Sequence, residues 1–126
     1  MRRGPFSFSA ERLSETVAHD GLGRIRTTRV VAPEDGSGYR FIDLTEMPPG
    51  SSVGVHTHGP DDEEIYVIIS GRGRMRLEDR EFEVGPGDVI INAPGGTHGL
   101  VNIGAEPLRM VVLDVHASGG AVPAAP

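Results

Sequence analysis

Short runs of alternating or β-branched apolar residues recur along most of the chain and are separated by turns rich in glycine and proline. Such runs are typical of β-strands. They predict eight or nine strands, at residues 24–31, 39–47, 53–58, 64–69, 73–77, 81–84, 88–91, 98–103 and 108–115. Because no long segment with helical periodicity lies between them, we predict an all-β fold, an antiparallel sandwich or barrel.

The two ends of the chain depart from this pattern. Residues 9–18 are the one segment that could form a helix, with Ser9 as N-cap, although ten residues are marginal without packing. Residues 117–126 offer little to bury, which predicts disorder. The predicted organisation is an N-terminal extension at 1–23, one β-barrel domain at 24–116 and a disordered C-terminal tail at 117–126.

Composition excludes several kinds of chemistry. The chain has no cysteine, which excludes disulfides and thiolate metal sites, and no lysine, which excludes a Schiff base. The net charge of −6 argues against nucleic acid as a partner, because no surplus of positive charge faces phosphates. With no apolar run of about 18 residues and no secretory signal, we predict a soluble, cytoplasmic protein without a membrane partner.

Two histidines indicate a metal site. His56 and His58 are two positions apart in a predicted strand, so their imidazoles share one face, about 6.6 Å apart along the chain. That spacing suits two ligands of one ion. Glu63 and Glu64 open the next predicted strand, so a carboxylate can reach both imidazoles.

This stretch resembles the first motif of the cupin superfamily, Gly-x5-His-x-His-x(3,4)-Glu-x6-Gly. Gly50, His56 and His58 match the motif, and Glu64 keeps the six-residue spacing to its last glycine. Five residues separate His58 from Glu64, where the motif has three or four. Glu63 would restore this spacing but would lose the six-residue spacing to the last glycine. We favour Glu64, because the strand fixes side-chain direction while the preceding loop can absorb one extra residue.

Residues 87–102 resemble the second cupin motif, Gly-x5-Pro-x-Gly-x2-His-x3-Asn. Gly87 and His98 keep the motif's overall spacing, and Asn102 also fits. Pro94 lies one position late, so the turn before His98 differs locally. Three of the five histidines therefore fall on the family's metal positions.

The resemblance implies a cupin-type antiparallel β-barrel, or jelly roll, that holds one divalent transition metal through His56, His58, Glu64 and His98. A ligand set of nitrogen and oxygen suits Fe, Mn, Ni, Co, Cu or Zn. Open coordination positions would make the metal catalytic. Family members are often dimers, and the exposed edge strands of a small barrel also favour a homodimer.

Other polar residues carry weaker indications of function. Tyr66 shares strand parity with the carboxylate ligand and is predicted to face the cavity, either as a catalytic group that orients substrate or transfers a proton, or as a lining aromatic. His19 and His116 match no motif and are interpreted as surface residues. Asn92 and Asn102 are interpreted as rim or turn residues.

Alternating residues are expected to line the cavity: Ile42, Leu44, Tyr66, Ile68, Met75, Leu77, Ile90 and Met110. This mostly apolar set predicts a small-molecule substrate that is hydrophobic or aromatic and presents one or two oxygens to the metal. We therefore predict a metal-dependent cupin enzyme of Lewis-acid type, an isomerase, cyclase or lyase, similar to small cupins of secondary metabolism. An Fe(II)-dependent dioxygenase and a non-catalytic metal- and ligand-binding module remain alternatives.

Overall fold

The computed structural model describes residues 2–117, which form two antiparallel β-sheets and a single 3₁₀ turn, Pro33–Asp35. The six-stranded sheet has the order β1-β2-β3-β10-β5-β8, and the four-stranded sheet has the order β4-β9-β6-β7. The strands are β1 Ser14–Thr16, β2 Ile25–Val31, β3 Phe41–Met47, β4 Ser52–Thr57, β5 Asp62–Ser70, β6 Gly73–Leu77, β7 Arg80–Val84, β8 Val89–Asn92, β9 Thr97–Asn102 and β10 Leu108–His116. The all-β jelly-roll prediction is confirmed.

The nine predicted strands correspond to β2 through β10, and every boundary agrees within two residues. Turn glycines set many of these boundaries. Gly71 and Gly87, for example, adopt φ of 88° and 90°, a left-handed conformation that other residues rarely take. A side chain on Gly71 would also collide with the backbone of Leu108.

The segment at 9–18 that could form a helix does not form one. Residues 7–11 form a turn, and Ser14–Thr16 form β1, which pairs with β2. Ala18 then makes a parallel bridge to Val53 in the other sheet. Strand pairing outweighs the weak helix preference of a ten-residue segment, because a helix that short gains little without packing. Of the predicted disordered tail, residues 118–126 lie outside the described residues.

The core lies between the two sheets. Met47, Met75 and Leu108 are completely buried, and Tyr66 and Met110 are nearly so. The predicted cavity lining is wrong for β3, where Phe41, Asp43 and Thr45 line the cavity and Ile42 and Leu44 therefore face outward. A shift of one residue reverses the faces of a strand, and alternation favoured Ile42 and Leu44 because the cavity face of β3 carries the polar Asp43 and Thr45. Of the other predicted lining residues, Tyr66 and Met110 line the cavity, whereas Ile68, Met75, Leu77 and Ile90 lie in or against the core.

The described residues contain no helix long and apolar enough to cross a membrane.

Candidate metal centre

A β-bulge in β4 turns His56 into the barrel. Val53 pairs with Leu100 and His56 with His98, and the register shifts between these two pairs. In a regular strand, residues three positions apart face opposite sides, but the extra residue in the bulge lets Val53 and His56 both face inward. Val55, between them, is 54% exposed on the outer face.

Four side chains from both sheets converge at this end of the barrel. His56 and His98 are cross-strand neighbours on β4 and β9, His58 follows the end of β4, and Glu64 projects from β5 of the opposite sheet. The Nε2 atoms of His56 and His58 are 3.1 Å apart. Oε1 of Glu64 lies 3.5 Å from Nε2 of His98 and 3.8 Å from Nε2 of His58. The structure thus brings the four predicted metal ligands together.

The hydrogen bonds of His56 and His58 point their acceptor nitrogens at each other. Nδ1 of His56 donates to the carbonyl oxygen of Gly54 over 2.7 Å, and Nδ1 of His58 donates to the carboxylate of Asp62 over 2.7 Å. A neutral imidazole has only one N–H, so both Nε2 atoms carry lone pairs. Burial lowers the pKa of His56 to about 4, which keeps that ring neutral. Two lone pairs at 3.1 Å repel each other unless a cation lies between them.

The donor set fits a divalent transition metal. Ligand atoms about 2.1 Å from an ion are separated by about 3.0 Å in octahedral and about 3.4 Å in tetrahedral geometry. Among these donors, the separation of 3.1 Å lies within that range, and those of 3.5 and 3.8 Å lie slightly above it. Among the described residues, His56, His58 and His98 also form a group with ligand atoms close enough to hold an ion.

The loop between His58 and β5 accommodates the extra residue of the first motif. Asp62 is the first residue of β5, so Glu64 shares its inward face and Glu63 points to the opposite face. The amide of Gly95 donates to the carbonyl oxygen of Gly59 over 2.9 Å, which ties the loop of the first motif to the turn before His98.

Tyr66 is 2% exposed, and its hydroxyl lies 3.1 Å from Nε2 of His98. Burial, together with the nearby negative charge of Glu64, raises the pKa of Tyr66 well above its ordinary value. The hydroxyl therefore keeps its proton at neutral pH. It can donate a hydrogen bond at the metal centre, but it is not suited to act as a base.

A second acidic pair lies behind His58. Asp114 is 1% exposed and, with Asp62 and His58, forms another group with closely spaced ligand atoms among the described residues. Burial, followed by the hydrogen bond and charge of Asp62, raises the pKa of Asp114 to about 8. Burial alone would also raise the pKa of Asp62, but hydrogen bonds from Asp114 and His58 outweigh it and lower that pKa. These opposite shifts favour one proton on the pair, on Asp114, and the guanidinium of Arg40, 3.5 Å from Oδ1 of Asp114, acts in the opposite direction.

Three further residues differ from their sequence interpretation. His19 lies at the cavity, with its ring stacked on His56, although it belongs to no sequence motif. Asn92 and Asn102 are 1% and 2% exposed, so neither lies on a rim. The side-chain amide of Asn102 donates hydrogen bonds to the carbonyl oxygens of Met47 and Glu106 and so connects two turns. Its role is therefore structural.

A cavity of about 180 Å³ opens next to Glu64 and Tyr66. Its wall is apolar over much of its area, with contributions from Ala18, Ile25, Phe41, Val53, Met110 and Val112, and also includes His19, Thr27, Arg29, Asp43 and Thr45. Arg29 makes two hydrogen bonds of 2.9 and 3.1 Å to the carboxylate of Asp43. The guanidinium of Arg29 is thus neutralised by its own neighbour.

Comparisons with known proteins agree with this architecture. The "Uncharacterized protein MJ1618" of Methanocaldococcus jannaschii is 43% identical over 65 residues, which cover 52% of this chain and 51% of that protein. The match therefore spans only about half the length of that relative. An "Oxalate-binding protein" of Thermotoga maritima is 29% identical over 94 residues, covering 74% of this chain and 77% of that protein.

Among solved structures, a predicted oxalate decarboxylase of Thermotoga maritima superimposes with a TM-score of 0.81 and 25% identity, covering 86% of this chain and 95% of that chain. The family model described as "Cupin domain" matches residues 43–116. That range contains both motifs and all but the first two strands of the fold. The chain therefore belongs to the cupin family.

Proposed function

We propose that the protein is a metal-dependent cupin enzyme that acts on a small, oxygen-bearing molecule with an apolar body. His56, His58, Glu64 and His98 would hold one divalent transition metal. The observation that carries the proposal is the pair of acceptor nitrogens on His56 and His58, which are oriented toward each other at 3.1 Å by hydrogen bonds on their opposite ring atoms. A cation satisfies this arrangement, and water-exposed surface histidines would not require it.

The cavity limits the size of the substrate. A cavity of about 150 Å³ holds a benzene ring, so the cavity of about 180 Å³ beside Glu64 accommodates about one ring or a short branched chain. Phe41, Met110 and Val112 would contact its apolar body. An oxygen of the substrate would face the metal centre, since Glu64 and Tyr66, which adjoin that centre, both line the cavity.

A bound metal would supply Lewis-acid polarisation of a substrate oxygen. The chain's own groups would complete the site. The protonated hydroxyl of Tyr66 would donate a hydrogen bond to an oxygen that gains negative charge, which stabilises that charge in a buried setting. Asp62 would hold the ring of His58 in the tautomer that leaves Nε2 free. The apolar wall would exclude water from the reacting atoms.

A second candidate, a non-catalytic module that binds a small dicarboxylate, is favoured by the relative named as an oxalate-binding protein. The cavity argues for the first candidate. A dicarboxylate that holds one carboxylate away from the metal would need a second cation, and the guanidinium of Arg29 already pairs with Asp43. An uncharged or singly charged ligand suits the wall better.

Metal analysis followed by metal exchange tests the proposal. Protein purified without a nickel column is analysed by mass spectrometry, and metal-free protein is then reloaded with Zn(II), Mn(II), Ni(II) or Fe(II). Each form is incubated, with and without oxygen, with phenolic ketones, enols, β-diketones and oxalate. Turnover by the Zn(II) form without oxygen, lost in His98→Ala, supports Lewis-acid catalysis. Turnover only with Fe(II) and oxygen would identify a dioxygenase, and binding without turnover would identify a binding module.

We also propose that two copies associate through the outer face of the six-stranded sheet. Two apolar rows cross three strands there, Val111–Val67–Val89 and Leu113–Ile65–Ile91. Val89 and Ile91, on the edge strand β8, are 58% and 48% exposed. An uncharged apolar patch is complementary to itself, as a two-fold interface requires, so a second copy of the chain is the partner that fits.

A further inference from the structure

His19 lies flat against a predicted metal ligand. Its ring centroid is 3.4 Å from that of His56, and the two ring planes differ by 5°. His19 lies on residues 17–22, here called the N-terminal strap, which precede the region matched by the cupin family model, residues 43–116. The region matched by the family model therefore contains His56 but not His19.

Backbone hydrogen bonds hold the strap on β4. The amide of Gly54 donates to the carbonyl oxygen of Ala18 over 3.0 Å, and the amide of Ser52 donates to that of Leu22 over 2.9 Å. In return, the amide of Leu22 donates to the hydroxyl of Ser52 over 2.7 Å. The strap thus docks at the β-bulge that turns His56 into the barrel.

Two glycines allow this close approach. A Cβ on Gly54 would collide with the carbonyl oxygen of His19, and a Cβ on Gly21 would collide with that of Ser52. The strap itself turns through two left-handed residues, with φ of 50° at His19 and 56° at Asp20. Left-handed conformations are uncommon outside glycine and persist where the surrounding contacts enforce them. The backbone is thus built to place His19 at this position.

The stacked geometry assigns His19 a positioning role and excludes shared coordination. A nitrogen lone pair lies in the plane of its ring, so one ion cannot lie on the lone-pair axes of two parallel rings that are 3.4 Å apart. No side-chain hydrogen bond between described residues involves the ring of His19. What His19 supplies to His56 is therefore the flat face of an aromatic ring.

We propose that His19 is a positioning residue of the metal centre: its stacked ring fixes the plane of His56, while the bond from Nδ1 to Gly54 fixes the rotation within that plane. This inference rests on the proposed metal site. With the strap in place, Nε2 of His56 is held toward His58 before any ion arrives. Without the stacked ring, the half-buried imidazole of His56 can tilt away from the other ligands.

The test compares His19→Ala, which removes the ring, with His19→Phe, which keeps a flat ring without nitrogens, in the full-length protein. His116→Ala is the control, because His116 is exposed and contacts only the exposed Asp61 in its ion pair. Affinity for Zn(II) is measured by competition with a chromophoric chelator, and the visible spectrum of the Co(II)-saturated protein reports ligand geometry. Urea unfolding of the metal-free variants shows whether each is folded.

We expect His19→Ala to weaken Zn(II) binding by about 10-fold or more, the range for groups that orient a metal ligand, and to shift the Co(II) bands. His19→Phe should restore both properties to near the wild type, and His116→Ala should leave both unchanged. Wild-type affinity and spectrum in His19→Ala would overturn the inference, and so would equal losses in His19→Phe and His19→Ala, because the nitrogens would then be required.

Gly21→Ala provides an independent variant, because a Cβ there collides with the carbonyl oxygen of Ser52 and displaces the strap, while His19 and the carbonyl of Gly54 that binds His56 stay unchanged. It should reproduce the loss seen in His19→Ala. Tight Zn(II) binding by folded Gly21→Ala would count against the inference. Failure of the wild type to bind any of the metals would instead refute the proposed function, and that result is separate from the comparison of the variants.

Discussion

Asp62, which lies four residues after His58, accepts a hydrogen bond of 2.7 Å from Nδ1 of that histidine. The bond orients the imidazole and leaves Nε2 available to an ion, an arrangement in which a carboxylate supports a metal-bound histidine. The pair spans the loop that is one residue longer than the cupin motif. The longer loop thus brings a carboxylate to the start of β5, behind the site.

Asp62→Asn should weaken metal binding by about 10- to 100-fold, the usual effect of removing a group that supports a metal ligand. An amide can present its NH₂ to Nδ1 and thereby favour the wrong tautomer. The readout is the dissociation constant for Zn(II), obtained by chelator competition. Asp61→Asn is the matched control, since Asp61 is 51% exposed in its side chain and belongs to the same loop. Equal affinities for the two variants would contradict the role of Asp62.

Glu64→Gln should lower metal content, while Glu63→Gln should leave it nearly unchanged. The two residues are consecutive on β5, and only Glu64 faces the imidazoles, at 3.5 Å from Nε2 of His98. Mass spectrometry of the purified variants gives moles of metal per chain. If Glu63→Gln lost the metal instead, β5 would have to enter the site with a shifted register.

His98→Ala should reduce metal affinity by more than the 10- to 100-fold typical of a supporting group, because it removes a direct ligand. His98 is 1% exposed and lies between both sheets. His116→Ala provides a histidine-deletion control, because the side chain of His116, at the end of β10, is 61% exposed. Metal stoichiometry and affinity of the two variants are compared, and a similar loss in both would refute the assignment of the ligands.

The contribution of Asp114 to the stability of the metal-free protein should be lost as the pH rises from about 4 to about 8, while the lowered pKa of His56 acts in the opposite direction up to its ordinary value of 6.5. The pKa of Asp114 is raised to about 8 in the folded state, so the folded chain holds a proton that the unfolded chain releases above its ordinary pKa of 3.8. A raised pKa in the folded state stabilises the fold at low pH, and this contribution is lost as the pH passes through the raised pKa.

Asp114→Asn removes this titration and keeps a hydrogen-bond donor toward Asp62. The free energy of unfolding of the variant should therefore increase relative to that of the wild type as the pH rises from about 4 to about 8. Urea unfolding at several pH values, with a chelator present, measures the difference. Parallel curves for the two proteins over that range would show that Asp114 is not protonated at neutral pH.

Val89→Lys should convert a dimer into a monomer, because burying an unpaired ammonium at an apolar interface is unfavourable. Val55→Lys is the control, since Val55 is 54% exposed on the other sheet and Val89 is 58% exposed on β8. Sedimentation velocity at several concentrations gives the mass of each species. A wild type that stays monomeric at high concentration, or a Val55→Lys variant that alone dissociates, would contradict the proposed interface.

Much of the fold could be predicted from the sequence because its signals are local. Alternating apolar residues and frequent turn residues locate β2 through β10 within two residues of their bounds. The cupin motifs identified the histidines and carboxylate that the fold brings together. Strand β1 could not be predicted in this way, because it is three residues long and gains its stability from pairing with β2.

The local pattern was insufficient where the cavity face of a strand carries polar residues or where the register changes. On β3, Ile42 and Leu44 carry the stronger apolar signal, yet Phe41 and Thr45 face the cavity. The bulge before His56 likewise depends on how β4 pairs with β9, which no property of β4 alone reveals.

The sequence by itself determined the strands, their turns and the types of side chain available to hold a metal, because these depend on residues close together in the chain. The tertiary structure alone decided which partners those side chains meet. The stacking of His19 on His56 joins residues 37 positions apart by sequence number, and the pairing of Asp62 with Asp114 joins β5 to β10. Such contacts arise from how the sheets close on each other, and the alternation of residues along a single strand does not contain that information.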